Sequence, residues 1–403
     1  MWEKVRLEEC FSLIRNGASI KQFENSCGIP ITRIETISHG YLNLEKLGYA
    51  NIENDEYIDF YIQNGDILMS HINSLKHLGK TALVKNISTK IIHGMNLLLL
   101  RTNGNCSYRY VKFYFETIDF YNQILNIANQ SVNQSSFTVT KLRNIEIPLP
   151  PLAVQEKIAD ILDKADRLRR KDQELLDKYD RLAQSIFIDM FGDPVKNEQG
   201  WELKKLDKLC SKVLSGNTPK GGSEVYVKSG IKFFRSQNVW KNRLDLNDIA
   251  FIDESTHNSM KNSSLHHKDI LITKTGRINT ENSSLGRAAL FLGEDDSANI
   301  NGHVYLIRIN DELVLPEFIV FILTTVQFRD HIRSVCVGGI DKRQLNKEHI
   351  QNFPIILPPF HLQEEFAKKI EIINKLKLQT NTTKSEELFQ SLLQKAFTGE
   401  LIQ

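Results

Sequence analysis

Apolar side chains recur every three or four residues along a charged segment that begins near residue 152. This spacing predicts an α-helix with a single apolar stripe, as in a coiled coil. The stripe consists of Val154, Ile158, Ile161, Ala165, Leu168, Leu175, Tyr179, Leu182 and Ile186. The sequence Phe191-Gly192-Asp193-Pro194 predicts the end of this helix, because glycine favours the C-terminal cap and proline cannot continue a helix.

A second, less regular segment of this kind follows residue 358. A polar stretch from Gln379 to Ser385 interrupts its stripe, and there we expect the helix to kink or fray. The stripe consists of Leu362, Phe366, Ile370, Ile373, Leu376, Leu388, Leu392 and Ala396. Because neither helix is apolar on all sides, each must cover one stripe, and we expect the two helices to pair. The alternative is that each helix packs on its own globular domain.

The same motif introduces both helical segments. Ile147–Glu156 contains a Pro-Pro pair followed by Gln-Glu, and Ile355–Glu364 repeats this arrangement. Further matching pairs are Trp2 and Trp201, Gly65–Leu68 and Lys268–Leu271, and Leu78–Leu83 and Leu285–Leu290. A repeat that spans about half of the chain indicates a duplicated unit rather than a solenoid. The chain is therefore predicted to be two homologous halves, each a globular domain followed by a helix.

Prolines mark the boundaries between these parts. Most of them lie in or directly before the two copies of the motif: Pro148, Pro150, Pro151, Pro354, Pro358 and Pro359. Proline cannot donate to a strand ladder and disfavours helix in the residue before it, so each block ends a β-rich domain. We predict globular domains at residues 1–150 and 193–357, with helical regions at residues 151–192 and 358–403.

The globular parts contain short runs of β-branched and aromatic residues separated by turn residues. Examples are Ile31–Ile34, Ile67–Met69, Ile231–Phe234 and His303–Ile307. Short helices are expected near residues 108–126 and 316–333. This pattern predicts the α+β class, with a twisted sheet and long loops in each half.

Composition excludes several classes of protein. No apolar run is long enough to span a membrane, and Glu3, Glu8 and Glu9 do not fit a signal peptide, so we expect a cytoplasmic protein. The five cysteines are scattered, which argues against a disulfide framework or a zinc site. A net charge of +2 permits binding to nucleic acid without requiring it.

No pattern typical of catalysis is present. Gly216–Ser223 has the glycines of a phosphate-binding loop, but Gly222 occupies the position of the required lysine. Leu149 and Leu357 precede the Pro-Pro pairs, where an amino-group DNA methylase has a polar residue. The histidines lack metal-ligand spacing. We therefore predict that the chain has no catalytic residue and no metal site.

The two Trp-Glu starts, the two Pro-Pro motifs and the two long helices resemble the specificity subunit of type I restriction-modification enzymes over the entire chain. This resemblance implies two target-recognition domains joined by two long helices that form an antiparallel coiled coil. Each domain would read one half of a split, asymmetric site in double-stranded DNA. Two methyltransferase subunits would dock on the helices, and translocase-nuclease subunits would complete the restriction complex. The partners, not this chain, would bind S-adenosylmethionine, ATP and Mg.

Candidate base-reading residues are side chains on loops that form paired hydrogen bonds, because Arg and Lys suit guanine while Asn and Gln suit adenine. In the first domain they are Arg33, Ser70, His71, Asn73, Lys76 and Gln134. In the second they are Arg235, Ser236, Gln237, Lys274, Thr275, Arg277, Asn279, Lys342 and Arg343. The segment Lys274–Arg277 is the strongest candidate, because Gly276 lets the backbone approach phosphate while basic side chains reach a groove. The alternative for each residue is a solvated surface position.

Two other functions are compatible with the sequence. The first is a DNA-binding scaffold that dimerises through its helices without a methyltransferase partner. The second is a single-chain enzyme, which predicts that the isolated chain binds S-adenosylmethionine or cleaves DNA with a metal ion. The first differs from the specificity-subunit hypothesis in having no methyltransferase that co-purifies with the chain.

Overall fold

The computed structural model describes residues 2–23, 28–38, 40–52, 56–131, 134–278, 283–310, 312, 314–339, 342–380 and 382–402. The chain divides into two compact units. Unit 1 comprises Met1–Glu174 and Asn381–Gln403, and unit 2 comprises Leu175–Thr380. Each unit thus combines one globular part with segments from both helical regions, while the four-part division at residues 150, 192 and 357 stays a prediction.

Unit 1 is built around a four-stranded antiparallel sheet. The strands of the unit are β1 (Lys4–Arg6), β2 (Phe11–Asn16), β3 (Pro30–Ile31), β4 (Gly48–Tyr49), β5 (Ile67–Ser70), β6 (Ile72–Asn73), β7 (Thr81–Leu83), β8 (Leu97–Thr102), β9 (Asn129–Gln130), β10 (Ser135–Ser136) and β11 (Glu146–Pro148). The main sheet has the order β2-β8-β5-β7. The helices of its globular part are α1 (Tyr108–Tyr114), α2 (Ile118–Ile127) and α3 (Val139–Arg143).

The central strands β5 and β8 are apolar on both faces and buried on both faces. Successive side chains point to opposite sides of a strand. Ile67 and Leu98 therefore face the main core, which they share with residues of α1 and α2, whereas Leu68 and Leu97 face a second cluster on the other side. The continuous apolar runs in these strands reflect a sheet that is covered on both faces.

Unit 2 repeats this plan. Its strands are β12 (Glu202–Lys205), β13 (Cys210–Ser215), β14 (Ile231–Phe234), β15 (Val239–Trp240), β16 (Arg243–Leu244), β17 (Ala250–Ile252), β18 (Ile270–Thr273), β19 (Thr275–Gly276), β20 (Ala288–Leu290), β21 (Ala298–Ile300), β22 (Val304–Ile309), β23 (Val337–Gly338), β24 (Arg343–Gln344) and β25 (Pro354–Leu357). The main sheet has the order β13-β22-β18-β20. The helices of its globular part are α5 (Glu254–Ser259), α6 (Pro316–Thr324), α7 (Val326–Val335) and α8 (Lys347–Gln351). The two main sheets are equivalent, as the internal repeat predicts.

An ion pair between a buried aspartate and a partly exposed arginine occurs at the same place in both units. Asp66 accepts two hydrogen bonds from the guanidinium of Arg101, over 2.7 and 2.8 Å. Asp269 accepts two from Arg308, both over 2.8 Å. Each aspartate precedes a central strand within the repeated sequence found above. Charge-assisted bonds of this paired geometry are among the strongest in proteins, so the repeat preserves a structural element of the frame.

Short helices are present in both predicted ranges, and each range contains two of them. In the first range, Thr117 divides α1 from α2 and caps α2 by accepting a hydrogen bond from the backbone of Phe120. Thr325 divides α6 from α7 in the same way. The predicted strand Ile31–Ile34 ends at Ile31, and a 3-10 turn follows from Ile34. The predicted α+β class is confirmed.

The helical regions form α4 (Leu152–Phe191), α9 (Phe360–Gln379) and α10 (Thr382–Thr398). The second region is thus interrupted within the polar stretch where the sequence predicts a kink. Serine, threonine and asparagine compete with helical hydrogen bonds through their own side chains, and the interruption falls where they are concentrated.

In unit 2, the C-terminal part of α4 pairs with α9. Asp180 forms an ion pair with Lys377, and the ammonium of Lys369 lies 3.8 Å from the sulfur of Met190. Residue numbers rise along α4 while those of its partners fall, so the helices run antiparallel. Phe187 of α4 also lies 5.7 Å from the ring of Phe318 in α6. Helix pairing and packing on the globular domain therefore occur together.

In unit 1, the N-terminal part of α4 pairs with α10. Arg169 contacts Glu386 over 3.3 Å, and its guanidinium carbon lies 3.9 Å from the ring centroid of Phe389. Ile158 of α4 shares the main core with Leu393 of α10 and with residues of α1. Here too the helices cover the globular part as well as each other.

The predicted helix interface is only partly buried. Its buried members are Ile158, Ala165, Phe366, Ile373 and Ala396. Those at intermediate exposure are Val154, Ile161, Tyr179, Ile186, Leu362, Ile370 and Leu392. The structure leaves Leu168, Leu175, Leu182, Leu376 and Leu388 exposed. The reason is that the buried face of α4 also meets the globular domains, which draws Leu162, Ala183 and Phe187 inward instead.

Candidate nucleic-acid interface

A small three-stranded sheet follows a central strand of the main sheet in each unit. In unit 1 it has the order β6-β10-β9 and pairs Asn73 with Ser135. In unit 2 it has the order β19-β24-β23 and pairs Gly276 with Arg343. The first follows β5 and the second follows β18, which are equivalent strands. Each small sheet brings together predicted DNA-binding residues that are distant in the sequence.

In unit 1, the small sheet gathers Ser70, His71, Asn73 and Gln134. Ser70 and His71 are buried, and the Asn73 amide donates a hydrogen bond to the Ser70 hydroxyl over 3.3 Å. Burial lowers the pKa of His71, so its imidazole is neutral at neutral pH. Its ring packs edge-on against Phe137, with centroids 6.3 Å apart. Gln134 is exposed, whereas the other three residues mainly shape the loop.

In unit 2, the small sheet gathers Lys274, Thr275, Arg277, Lys342 and Arg343. Arg277 and Lys342 are exposed. Within the described residues, no hydrogen bond or ion pair engages the guanidinium of Arg277, so its five donors are available to a ligand. Asn279, the remaining candidate of this segment, lies outside the described residues.

Two other basic residues of this sheet already have internal contacts. Arg343 donates a hydrogen bond to the carbonyl oxygen of Cys336 over 3.2 Å. The Lys274 ammonium lies 5.6 Å from the ring centroid of Tyr305, within the range of a cation–π contact. Thr275 is half-buried, and its carbonyl oxygen accepts a hydrogen bond from Ser284 over 2.7 Å.

Arg33 and Arg235 occupy equivalent positions, each immediately before a 3-10 turn. The backbone N–H of Arg33 donates to Thr36 Oγ1 over 2.8 Å. The backbone N–H of Arg235 donates to Asn238 Oδ1 over 3.0 Å. Both turns are therefore closed by the same type of hydrogen bond, three residues along the chain.

The guanidinium groups of these two arginines hold loops together. Arg33 Nε donates to the side chain of Gln22 over 2.9 Å. Arg235 lies 3.1 Å from a carboxylate oxygen of Asp248, and Gln237 donates to the same carboxylate over 2.7 Å. Ser236 begins the 3-10 turn and is half-buried. As placed, these side chains shape loops, and a role in base reading stays a prediction.

Four further basic residues lie beside the small sheet of unit 2 and were not predicted. They are Lys241, Arg287, Arg329 and Arg333. Their side chains come from three separate elements, and no sequence spacing brings them together. The only signal in the sequence is the repeated Leu-Gly pair at residues 78–79 and 285–286, which is followed by a cation in both halves, Lys80 and Arg287.

A groove lies between the sheet edge and the helices of unit 2. It has a volume of about 760 Å³. Its apolar lining comprises Leu244, Leu246, Leu290, Phe291, Leu292, Val320, Phe321, Val326 and Ile370. Leu292 and Val326 are 67% and 66% exposed, so the lining includes large side chains that are open to solvent. Exposed apolar side chains that line a groove are typical of interaction sites.

Unit 1 has a groove at the equivalent place, with a volume of about 450 Å³. Leu83 and Phe113 line it where Leu290 and Phe321 line the groove of unit 2. Most of the remaining wall is charged: Lys85, Arg109, Lys112, Asp163, Asp166, Arg167, Arg170, Lys171 and Glu174. The groove of unit 2 also includes seven charged residues, Lys241 among them, so the duplicated frame presents one mainly apolar and one mainly charged groove.

The part of the chain that the structure describes contains no cluster of three or more His, Cys, Asp or Glu side chains arranged to hold a metal ion. Across the same residues, every helix is too short or too polar to cross a membrane.

Comparisons with known proteins identify the family. Residues 1–177 and 198–390 match the family model described as type I restriction modification DNA specificity domain. The chain is 30% identical over 390 residues to the putative type I restriction enzyme MjaX specificity subunit of Methanocaldococcus jannaschii, which covers 93% of this chain and 87% of that protein. It is 21% identical to the StySPI specificity subunit of Salmonella potsdam, over 93% of this chain and 82% of that protein.

Among solved structures, the type I restriction-modification S subunit from M. genitalium has the same fold. Its TM-score is 0.55 at 14% sequence identity, over 98% of this chain and 96% of that chain. The two family matches fall on the two halves found in the sequence, and a relative at 30% identity extends over nearly the whole chain. The chain therefore belongs to the family of type I restriction-modification specificity subunits and is a DNA-specificity component rather than a catalytic one.

Proposed function

We propose that each unit reads one half of a bipartite, asymmetric site in double-stranded DNA through its small sheet and adjoining turns. The observation that carries this proposal is the equivalence of the two small sheets, which share a backbone plan but bear different side chains. Ser70-His71-Ile72-Asn73 in unit 1 corresponds to Thr273-Lys274-Thr275-Gly276 in unit 2. One frame with two sets of polar side chains suits two different half-sites.

Within this surface, Arg277 is the strongest candidate for direct base contact, because it is exposed and its guanidinium can form the paired bonds that guanine accepts. Gln134 and Lys342 are exposed on the small sheets of unit 1 and unit 2, and they are the next strongest candidates for base contact. Arg33 and Arg235 act instead by fixing the loops that border the surface. Their contribution to recognition is indirect.

We further propose that two methyltransferase subunits dock on the helical side of the chain, over the exposed leucines and the grooves. The exposed leucines of the helices are Leu168, Leu175, Leu182, Leu376 and Leu388. Apolar side chains at helical spacing favour another helix or apolar surface as partner. The methyltransferases would supply S-adenosylmethionine, and translocase-nuclease subunits would supply ATP and Mg. We place this assembly in the cytoplasm.

The test is a genome-wide map of methylated bases in cells that carry the chain with its methyltransferase and in cells that lack only this chain. The expected result is the loss of one split, asymmetric methylated motif when the chain is absent. Identical maps would contradict the proposal. If the chain still bound duplex DNA without a methyltransferase in that case, the scaffold hypothesis would replace it.

A further inference from the structure

Each unit makes the same tight turn before an edge strand of its main sheet, β7 in unit 1 and β20 in unit 2. Gly79 and Gly286 stand at this turn, with φ angles of 75° and 62° that favour glycine. The backbone N–H of Gly79 donates to Ser70 over 2.8 Å, and that of Gly286 donates to Thr273 over 3.0 Å. The residue after each glycine is a cation, and it is Lys80 in unit 1. The strands that follow the two turns, β7 and β20, therefore begin at equivalent positions.

In unit 2, the cation at this position is Arg287, and three elements converge around it. Its guanidinium carbon lies 3.8 Å from the ring centroid of Trp240, which precedes the turn between β15 and β16. On the same turn, the backbone N–H of Asn242 donates to the carbonyl oxygen of Ala288 over 2.9 Å. From α7, Arg329 donates to the carbonyl oxygen of Leu285 over 2.7 Å. The β15–β16 turn, the glycine turn and α7 thus meet at one place.

This convergence concentrates positive charge. Burial, followed by the charges of Arg333 and Arg287, lowers the pKa of Arg329 to about 10. Desolvation, followed by the charges of Arg329, Arg333 and Arg287, lowers the pKa of Lys241. Two acids act on this cluster: Asp330 forms an ion pair with Arg333 over 2.5 Å, and the charge of Asp180 partly offsets the lowering of the pKa of Lys241. Among these described side chains, the four cations outnumber the two acids.

One buried donor of this cluster also lacks a partner. Arg329 is 4% exposed, and its Nε atom has no hydrogen-bond partner within the described residues. The Nε atom of Arg333 is also buried and has no hydrogen-bond partner within the described residues. Buried donors in native proteins are nearly always satisfied, and two such donors beside several cations suit an anionic ligand.

Unit 1 also has cations at this turn, but different residues supply them. Lys76 and Lys80 flank His77 there, and burial together with the charges of these two lysines lowers the pKa of His77. A side chain added to Gly79 would meet Ile124, and one added to Gly286 would meet Ile332, which aligns α2 with α7. The arginines of α7 therefore correspond to uncharged residues, Tyr121 and Leu125. Charge has been kept at this place while the residues that supply it have changed.

The clusters adjoin the small sheets. The backbone N–H of Ser70 donates to the carbonyl oxygen of Lys80 over 2.8 Å, and that of Thr273 donates to the carbonyl oxygen of Arg287 over 2.9 Å. Ser70 and Thr273 are the last residues of the central strands β5 and β18, and one residue separates each of them from the small sheet of its unit. In protein–DNA interfaces, contacts to phosphate position the protein and contacts to bases specify the sequence. A cation beside a base-reading surface has the placement of a phosphate contact.

We propose that these two clusters, Lys76, His77 and Lys80 in unit 1 and Lys241, Arg287, Arg329 and Arg333 in unit 2, bind phosphate groups of the DNA backbone and so set each domain on its half-site. The ligand chemistry is a phosphate oxygen anion, and the backbone of duplex DNA is its source. This inference rests on the proposed function and adds the residues that hold the duplex in register.

The test replaces the exposed Lys241 and the partly exposed Arg333 of unit 2, and it leaves the two buried arginines in place. Lys241→Gln with Arg333→Gln is compared with the wild-type full-length chain in binding to a duplex of mixed sequence, over a series of NaCl concentrations. Each lost phosphate contact reduces the slope of log K against log salt by about 1, so we expect a reduction of about 2. The matched control, Lys164→Gln with Lys368→Gln, removes the same charge from exposed positions on α4 and α9 and should leave the slope unchanged.

Equal slopes for the cluster variant and the wild-type chain would overturn the proposal. A second arm compares thermal unfolding in inorganic phosphate and in chloride of equal ionic strength. If phosphate stabilises the wild-type chain but not the variant while DNA slopes stay equal, the ligand is free phosphate and the assignment to DNA is wrong. If circular dichroism shows that the variant does not fold, Lys76→Gln with Lys80→Gln provides the same test in unit 1. A wild-type chain that binds no duplex would remove the proposed function itself, whatever the variants do.

Discussion

Gln155 and Pro150 are joined by a hydrogen bond from the side-chain amide to the proline carbonyl oxygen, over 2.8 Å. The side-chain oxygen of Gln155, Oε1, accepts a second hydrogen bond, over 2.9 Å, from the backbone N–H of Ser107, the cap residue of α1. Gln363 repeats both contacts, with Pro358 over 2.9 Å and with Leu315 at the start of α6 over 3.1 Å. The glutamine of the repeated motif therefore ties the start of a long helix to its globular domain.

Replacing this glutamine should weaken the fold. Gln155→Leu keeps the approximate size of the side chain but leaves a buried N–H and a buried carbonyl oxygen without their partner. We expect the free energy of unfolding to fall by about 1 to 3 kcal/mol, as measured by urea denaturation. Gln394→Leu, at an exposed position of α10, is the matched control and should change stability little. Equal stabilities for the two variants would show that the tie is dispensable.

The buried His93 should make the fold sensitive to acid. Burial lowers its pKa from 6.5 to about 4. Between these values the unfolded chain takes up a proton that the folded chain does not, so stability falls as the pH falls from about 6.5 to about 4. The whole window corresponds to at most about 3 kcal/mol.

The variant His93→Gln isolates this effect, because a glutamine amide can still donate to the carbonyl oxygen of Leu97, which the imidazole reaches over 3.0 Å. Its unfolding free energy should depend less steeply on pH in this window than that of the wild-type chain. His361→Gln removes an exposed histidine and should keep the wild-type pH dependence. If all three chains lose stability in parallel, another group is responsible.

Arg277→Ala separates base reading from phosphate contact. If Arg277 reads a base, the variant should lose about 1 to 3 kcal/mol of binding to the motif found by methylation mapping, with little change on other sequences. If it contacts phosphate, binding should weaken equally on all duplexes. The measurement is a comparison of dissociation constants on matched and altered duplexes, with Lys228→Ala as an exposed control in the same unit. Unchanged binding on every duplex would remove Arg277 from the surface.

Leu292→Asp places a carboxylate in the apolar groove of unit 2. If a methyltransferase subunit covers this groove, recovery of that subunit with the tagged chain should fall by about tenfold, while duplex binding by the chain stays intact. Ile118→Asp makes the same change at a side chain that is 73% exposed in α2, outside both grooves. Loss of the partner in both variants would point to a general effect of the added charge, and loss in neither would exclude this groove.

The sequence predicts the frame better than the contacts within it. The repeat matched Asp66 with Asp269, and the structure shows why, since each forms the same ion pair with an arginine of a neighbouring strand. The motif glutamines were recognised as a pattern, but their partners Ser107 and Leu315 lie about fifty residues earlier in the chain. Contacts across such distances leave no local signal.

The heptad pattern located the helices but not all of their buried residues. Leu168, Leu175 and Leu182 fit a coiled-coil stripe yet remain exposed, because α4 also packs on globular domains whose positions no periodicity encodes. The apolar pattern also does not reveal the caps Thr117 and Thr325, which begin new helices. Each stands between two apolar helices whose combined pattern is that of one longer helix.

In unit 1, two backbone hydrogen bonds join Ser70 to the Gly79–Lys80 turn and hold the ends of the intervening segment side by side. In unit 2, two equivalent bonds join Thr273 to the Gly286–Arg287 turn and hold the ends of the corresponding segment. The two enclosed segments differ in length and in almost every residue, while the strands that flank them keep their register. Because these bonds use backbone atoms alone, the two ends of each segment can be held side by side whatever side chains the segment carries.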